Sequence, residues 1–374
     1  MKKILLASLA TVGLTLGTPA LAEDINIWNW SDYIAESTVA DFEKATGLKA
    51  NYALFDSNEL VEARLLSGHS GFDAVMMTSY YVPRLAKAGA LTKIDHAKIP
   101  NWNKLDPKRM ELLATLDEGN AYAYPYTEIS LGIGYNKEKI AEIFGPDYKV
   151  DSWDLLFKKE NSDKLKQCGI AVLDSPIEIV SAAMHYLGKD PNSEKADDYT
   201  EARNLLTALA SNVAYYHSSR YINDLAAGEV CAVIGYSGDI LQAADRARQA
   251  HQNFTIEYAF PKEGAPIWFD CWVIPANADN YENAHRWFNF LMQEDVASNI
   301  SNETRYILPV TGAISRLDAG LRDNPSVNLP PELLEKAYFM LPPTNRVSRI
   351  TNNVWNSMKL NADSEGSEEG TGWE

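Results

Sequence analysis

The sequence lacks the short motifs that identify most enzymes and nucleotide-binding proteins. It has no Walker A loop, no GxGxxG fingerprint, no HExxH and no CxxC. None of its six histidines pairs with another at metal-ligand spacing on a helix face. The run Gly235–Asp239 approaches a GxSxG elbow, but Asp239 stands where the last glycine is needed. The sequence therefore gives no positive case for an enzyme, and we predict neither a cofactor nor a metal ion.

Basic side chains are scarce relative to acidic ones. The chain has 34 lysines and arginines against 51 aspartates and glutamates, a formal net charge of −17 at pH 7. Such a surface repels nucleic acid and anionic lipid and attracts cations. No apolar run after the N-terminal segment is long enough to span a bilayer. We therefore expect no nucleic-acid partner and no membrane insertion.

The first 22 residues have the pattern of a secretion signal. Lys2 and Lys3 precede an apolar stretch from residue 4 to residue 17, and Ala20-Leu21-Ala22 offers the small residues of a cleavage site. The apolar stretch is shorter than the ~20 residues of a transmembrane helix, and no cysteine follows it to carry a lipid. We predict a signal peptide over residues 1–22 and a secreted mature chain that begins at Glu23.

Only three cysteines are present, Cys168, Cys231 and Cys271. In the oxidising compartment that a secreted chain enters, two of them form a disulfide and one is left over. The sequence alone does not choose among the three pairings.

Strand and helix patterns alternate along the chain, which predicts an α/β protein with a mostly parallel sheet. About 350 mature residues favour two lobes. Asp56 and Glu59 predict a capping box for the second helix, which should end near Gly68. The predicted strands are 25–29, 49–54, 73–77, 169–173 and 230–234, and the predicted helices include 37–45 and 199–211. The acidic, glycine-containing segment 362–374 predicts a disordered tail.

Three sequence clusters set a carboxylate among aromatic residues near predicted strands. They are 28–33, directly after the first strand, 235–239, after another strand, and 268–270, before a strand over 271–274. Ligands of open α/β sheets bind beyond the carboxyl ends of strands. A carboxylate in an aromatic cleft needs a cation or hydrogen-bond donors, and aromatic faces attract ammonium groups. From this pattern alone, the chain is a secreted α/β protein with a candidate cation site.

The order of the short motifs resembles that of the periplasmic putrescine/spermidine-binding proteins of bacterial ABC transporters. The resemblance runs from about residue 24 to residue 359. It rests on the segments 29–34 (NWSDYI), 55–59 (FDSNE), 71–73, 132–136 (GIGYN), 151–154 (DSWD), 187–192, 197–200, 217–219 and 221–225.

The resemblance implies a two-lobe clamshell with two crossovers, in which residues 23–127 plus 249–302 form lobe one and 128–248 plus 303–361 form lobe two. It implies a Cys168–Cys231 disulfide with Cys271 free, a monomer, an ABC permease as partner, and a polyamine bound in the cleft. The ligand-binding residues that it implies are Trp30, Ser31, Asp32, Tyr33, Thr78, Tyr80, Glu178, Tyr236, Asp239, Trp268, Asp270 and Tyr306.

Within the polyamines, the aromatic residues at positions 80 and 268 favour spermidine over putrescine by resemblance. Ser175 stands against this preference, because some spermidine binders carry a carboxylate there. Two other functions stay open. The segments Tyr80-Tyr81 and Tyr215-Tyr216-His217 are similar to the adjacent tyrosines of iron-binding proteins with this fold, which makes ferric iron an alternative ligand. Two of the cleft carboxylates also fit the acid/base pair of a secreted glycosidase.

Overall fold

The computed structural model describes residues 24–324, 327 and 329–368, with side chains described as far as residue 360. The predicted signal peptide over residues 1–22 and its junction with Glu23 lie outside the described residues. The strands are β1 Asp24–Trp30, β2 Lys49–Phe55, β3 Ala74–Thr78, β4 Leu91–Thr92, β5 Ala123–Asn136, β6 Ile170–Val172, β7 Val213–Tyr216, β8 Ala232–Tyr236, β9 Ile256–Ala259, β10 Pro266–Pro275 and β11 Tyr338–Phe339.

Helices flank these strands on the sheet faces and close the C-terminal part of the chain. They are α1 Thr38–Thr46, α2 Asn58–Leu66, α3 Val82–Lys87, α4 Pro107–Leu113, α5 Lys137–Phe144, α6 Asp154–Phe157, α7 Lys159–Leu165, α8 Pro176–Tyr186, α9 Thr200–Ala210, α10 Tyr221–Ala227, α11 Ser237–Gln249, α12 Tyr281–Leu291, α13 Glu294–Thr304, α14 Ala319–Arg322, α15 Pro331–Leu334 and α16 Asn345–Glu368.

One long strand, β5, joins two sheets. The main strand order is β2-β1-β3-β10-β5-β8-β6-β7. Residues 123–130 of β5 pair with β10, whereas residues 131–136 pair with β8 and β9. We call the first sheet with its helices the first lobe and the second sheet with its helices the second lobe. The predicted two-lobe α/β clamshell is therefore confirmed, with a sheet that mixes parallel and antiparallel pairs.

The strand pairing bears on the predicted lobe bounds. Residues 128–130 pair with β10 of the first sheet, and β9 hydrogen-bonds to the end of β5 in the second sheet. A four-residue strand such as β9 is assigned to a lobe by its long-range partner. The division into 23–127 plus 249–302 and 128–248 plus 303–361 stays a prediction.

The predicted N-terminal elements agree with the observed ones to within one or two residues. Strand β3 is buried at every position, as expected for an apolar run covered on both faces of a sheet. The predicted cap of α2 is wrong by one residue. Ser57, and not Asp56, is the N-cap: its side chain accepts the backbone N–H of Leu60 at 3.3 Å and donates to Glu59 at 2.9 Å. Asp56 instead points toward the second lobe.

The disulfide joins Cys168 and Cys231 and leaves Cys271 buried and free, as the resemblance implied. The bridge links the starts of β6 and β8, which are parallel neighbours with Ile170 opposite Ala232.

Helix α16 packs on α8 and α9 and continues to Glu368. Residues 362–368, which were predicted to be disordered, are therefore helical. Extending a helix that is already anchored costs less free energy than starting a new one. Residues 369–374 lie outside the described residues. No described helix is both long and apolar enough to cross a bilayer.

Candidate ligand-binding cleft

A cavity of about 400 Å³, part of it open to solvent, lies between the two lobes. We call it the cleft. Ten of the twelve predicted ligand-binding residues line it, contributed by strand ends, helix starts and loops of both lobes. Its lining residues are Trp30, Ser31, Tyr33, Thr78, Ile129, Glu178, Ser218, Ser219, Tyr236, Asp239, Trp268, Asp270 and Tyr306.

Asp270 occupies the middle of β10, between β3 and β5, and only 3% of its surface is exposed. The sequence placed it before a strand, and this was wrong because β10 begins at Pro266, five residues earlier than the predicted start. The Thr78 hydroxyl donates to Asp270 Oδ1 at 2.8 Å, and Asn58 in turn donates to Thr78 Oγ1 at 2.9 Å. Burial raises the pKa of the Asp270 carboxyl to about 6, with the Thr78 hydrogen bond opposing the rise. A β-bulge directly follows Asp270.

Asp239 lies in the first turn of α11, immediately after β8. Two tyrosine hydroxyls satisfy it: Tyr221 donates to Oδ2 at 2.7 Å and Tyr306 to Oδ1 at 2.8 Å. Gly238 makes this approach possible, because a Cβ at that position would lie 2.4 Å from the Tyr306 ring. Desolvation raises the pKa of the Asp239 carboxyl to about 7, although both hydrogen bonds act to lower it.

Glu178 lies in the first turn of α8 and is 1% exposed. Tyr80 of the first lobe and Tyr236 of the second donate to its two carboxylate oxygens, each at 2.8 Å. Burial raises the pKa of this carboxyl to about 7, against the effect of the two hydrogen bonds. Tyr80 is fully buried behind Glu178 and does not itself line the cleft. Its hydrogen bond crosses between the lobes.

Aromatic rings form the walls between these carboxylates. The rings of Trp268 and Tyr236 meet edge to face with centroids 5.8 Å apart, and those of Tyr33 and Tyr306 do so at 5.1 Å. The Tyr33 hydroxyl shares a hydrogen bond with the hydroxyl of Thr127 on β5. Such walls suit a chain of methylene groups that carries ammonium ends, because ring faces attract cations and exclude water.

Asp32, the fourth predicted carboxylate, does not line the cleft. Its Oδ1 accepts from the Arg246 guanidinium at 2.5 Å, and about a third of each side chain is exposed. Asp32 has a left-handed φ of 55°, and its carbonyl accepts from Gln242 on α11. The Asp32–Arg246 ion pair therefore joins the lobes at the edge of the cleft. No local sequence pattern indicates this partner, which lies 214 residues away.

Three lining residues were missing from the predicted set. Ser218 and Ser219 follow β7 at the carboxyl end of that strand, where ligands of such sheets bind. Their motif carried part of the resemblance, so their position offered a usable signal. Ile129, in the middle of β5, is an apolar strand residue like its neighbours and carried no signal.

The tyrosine pairs that suggested iron have other partners. Tyr80 donates to Glu178 and Tyr81 donates to Glu59 at 3.1 Å. The ring of Tyr215 lies under the Arg220 guanidinium at 4.3 Å, and that of Tyr216 lies under Lys359 at 5.3 Å. Within the described residues, no group of three or more histidine, cysteine, aspartate or glutamate side chains is arranged to hold a metal.

Comparison with known proteins agrees with this architecture. Residues 37–327 match the family model of bacterial extracellular solute-binding proteins. The chain belongs to this family. Membership makes it a solute-binding protein rather than an enzyme, so the glycosidase alternative is set aside.

Individual relatives match this chain over nearly its whole length. The putrescine-binding periplasmic protein PotF of Escherichia coli K12 is 41% identical over 94% of this chain and 95% of its own length. The putrescine-binding periplasmic protein SpuD of Pseudomonas aeruginosa is 40% identical, covering 95% and 97%. The solved structure of the spermidine/putrescine substrate-binding protein PotD of Streptococcus pneumoniae has a TM-score of 0.73 at 22% identity, covering 91% and 99%. This last likeness supports the fold alone.

Proposed function

We propose that this protein captures a polyamine in the periplasm and delivers it to an ABC transporter of the inner membrane. The cleft supports the proposal by its charge: Glu178, Asp239 and Asp270 are buried together, and neutral tyrosine and threonine hydroxyls donate to them. Buried carboxylates without a cation are costly. A polyamine supplies ammonium groups for the acids and methylenes for the aromatic walls.

Calorimetric titration of the purified protein tests this function. Putrescine, cadaverine, spermidine and spermine are the probes, and 1,4-butanediol and butylamine are the controls, because they keep the carbon chain and remove both charges or one. We expect saturable binding of at least one polyamine and none of the diol. Absence of binding by all four amines, in protein freed of any retained ligand by unfolding and refolding, would refute the proposal.

Delivery from the periplasm requires export of the chain. The N-terminal pattern supports cleavage after Ala22, and the two relatives reported above are periplasmic proteins. Intact mass of protein released from the periplasm should correspond to a chain that begins at Glu23. A chain that retains residues 1–22 would contradict export through a cleaved signal.

The finer proposal is a preference for spermidine over putrescine. Trp268 supports it by its size, and three buried carboxylates match three ammonium groups in charge. The names of PotF and SpuD point instead to putrescine. The preference is therefore the part of the proposal that direct titration has to decide.

A further inference from the structure

His217 occupies a connecting position between β7 and α10. Its backbone N–H donates to Val172 O at 3.0 Å, which extends the pairing of β7 with β6 by one residue. Its ring Nδ1 accepts the backbone N–H groups of Ser219 and Arg220, each at 3.1 Å. A nitrogen that accepts two N–H groups carries no proton, so the ring proton of the neutral imidazole resides on Nε2.

These two hydrogen bonds close the turn that precedes α10. Backbone N–H groups outside regular secondary structure need a partner, and here the imidazole supplies one for two of them. The turn presents Ser218 and Ser219 to the cleft. The first residue of α10 is Tyr221, whose hydroxyl donates to Asp239 at 2.7 Å. The imidazole therefore holds the turn from which three groups act on the cleft.

The other ring nitrogen faces the first lobe. Nε2 lies 4.0 Å from Asp56 Oδ2, with both side chains about half exposed. Asp56 precedes the Ser57 cap of α2, and the next residue, Asn58, holds Thr78 against Asp270. One imidazole thus lies between the turn that supports Asp239 and the loop that supports Asp270.

We propose that His217 is a positioning residue for the cleft: Nδ1 fixes the turn that carries Ser218, Ser219 and Tyr221, and Nε2 aligns that turn with the Asp56 loop of the first lobe when the lobes close. The inference rests on the proposed polyamine function. His217 is not a lining residue, so its effect on affinity is transmitted through the residues that it holds.

Three substitutions separate the two roles of the ring. His217→Ala removes both. His217→Asn keeps a short acceptor that can bond the backbone N–H two residues on but does not reach Asp56. Asp56→Ala removes the contact in the first lobe alone. We expect His217→Ala to weaken polyamine binding by about tenfold, since both hydrogen bonds that hold the turn are lost. We expect His217→Asn to restore affinity to within about threefold of wild type, and Asp56→Ala to weaken binding about twofold.

Titration with putrescine and spermidine, beside thermal unfolding of each ligand-free variant, tests the inference. Rescue by asparagine, together with an Asp56→Ala effect that disappears in the His217→Asn background, would support both roles. Wild-type affinity in His217→Ala would overturn the inference, and so would equal losses in the alanine and asparagine variants. If His217→Ala does not fold, the His217→Asn and Asp56→Ala variants still decide whether the ring contributes to affinity. Failure of wild type itself to bind either amine would refute the proposed function instead.

Discussion

The floor of the cleft and its edge hold the same chemical group in opposite electrostatic settings. On the floor, Glu178, Asp239 and Asp270 are almost fully buried, and their hydrogen bonds come from tyrosine and threonine hydroxyls. At the edge, Asp32 is one-third exposed and forms an ion pair with Arg246. Hydroxyl donors orient a carboxylate without neutralising it, whereas a guanidinium does both. The floor is thus prepared for an incoming cation, and the edge is already neutralised.

This difference assigns unequal importance to four carboxylates that looked equivalent in the sequence. The pKa values point the same way, because burial raises those of the three floor carboxyls to about 6 or 7. A cation between them would recover the desolvation cost. At the edge, an amine would have to displace an arginine that is covalently part of the protein. We therefore expect the floor to determine affinity and the edge to modulate closure.

Neutralising a floor carboxylate should have the largest effect. Asp239→Asn and Asp270→Asn each leave a desolvated ammonium without its charge partner, which is expected to cost roughly 2–5 kcal/mol, or about thirtyfold or more in Kd. The ligand-free protein should keep its thermal stability or gain some, because an unpaired buried charge is removed. Calorimetry and thermal unfolding measure the two quantities.

Asp32→Asn is the matched control, since it makes the same chemical change at the edge. It should weaken binding far less than either floor variant. Equal losses in all three variants would remove the distinction between floor and edge. A floor variant that binds within threefold of wild type would show that its carboxylate is not an anchor.

Lowering the pH should weaken binding in steps. In the ligand-free fold, the pKa values of the three carboxyls lie above those of the unfolded chain, which are about 4. The neutral carboxyls therefore stabilise the ligand-free fold below about pH 4, and this stability is lost as the pH rises through 6 and 7. A bound amine requires the charged forms, so its affinity runs the other way, rising from pH 5 to pH 8 by up to about tenfold per unit for each proton released.

Calorimetry in two buffers with different ionisation enthalpies counts the released protons. We expect net release between pH 6 and pH 7, where the amines themselves stay protonated. Ligand-free Asp239→Asn should also lose less thermal stability than wild type between pH 5 and pH 8. Affinity independent of pH over this range would contradict a floor of buried, protonatable acids.

Local patterns in the sequence predicted the parts of this arrangement that depend on nearby residues. The first three strands follow from apolar runs and turn residues, and Asp239 was placed correctly because it follows a buried strand directly. Asp270 was misplaced because the predicted strand began at Cys271, although Gly264 and Pro266 mark a turn directly before β10. Its burial depends on β3 and β5, which reach it from about 190 and 140 residues earlier in the chain.

Contacts between the lobes were beyond the reach of sequence patterns. Nothing near Asp32 indicates that Arg246 neutralises it, and nothing near His217 indicates that Asp56 lies opposite. Tyr80 was expected in the lining by resemblance, yet its hydroxyl donates to Glu178 and it does not line the cleft. Each of these placements is decided by how the two lobes meet.

Breaking the edge pair should have a moderate effect. Arg246→Ala removes an ion pair that is partly exposed, and such pairs contribute ~0.2–1 kcal/mol, so we expect up to about fivefold weaker binding. The loss should appear mainly in the dissociation rate and should shrink in high salt. Lys137→Ala, which breaks a surface pair with Glu257 far from the cleft, is the control. A thirtyfold loss for Arg246→Ala would place the edge on a par with the floor.

The choice between spermidine and putrescine is the smallest effect expected, and it depends on counting charges on the floor. A diamine leaves one of three carboxylates unmatched, and at neutral pH that group keeps its proton, since burial raises the pKa of two of them to about 7. A triamine can neutralise all three and adds methylenes worth ~0.8 kcal/mol each when buried, but it must desolvate a third ammonium. We expect these contributions nearly to cancel, so that the Kd of spermidine is about threefold lower than that of putrescine. Spermidine should then release about one more proton than putrescine at pH 7, and Trp268→Phe should reduce the preference. A lower Kd for putrescine would refute the preference, and equal proton release would refute the charge count that supports it.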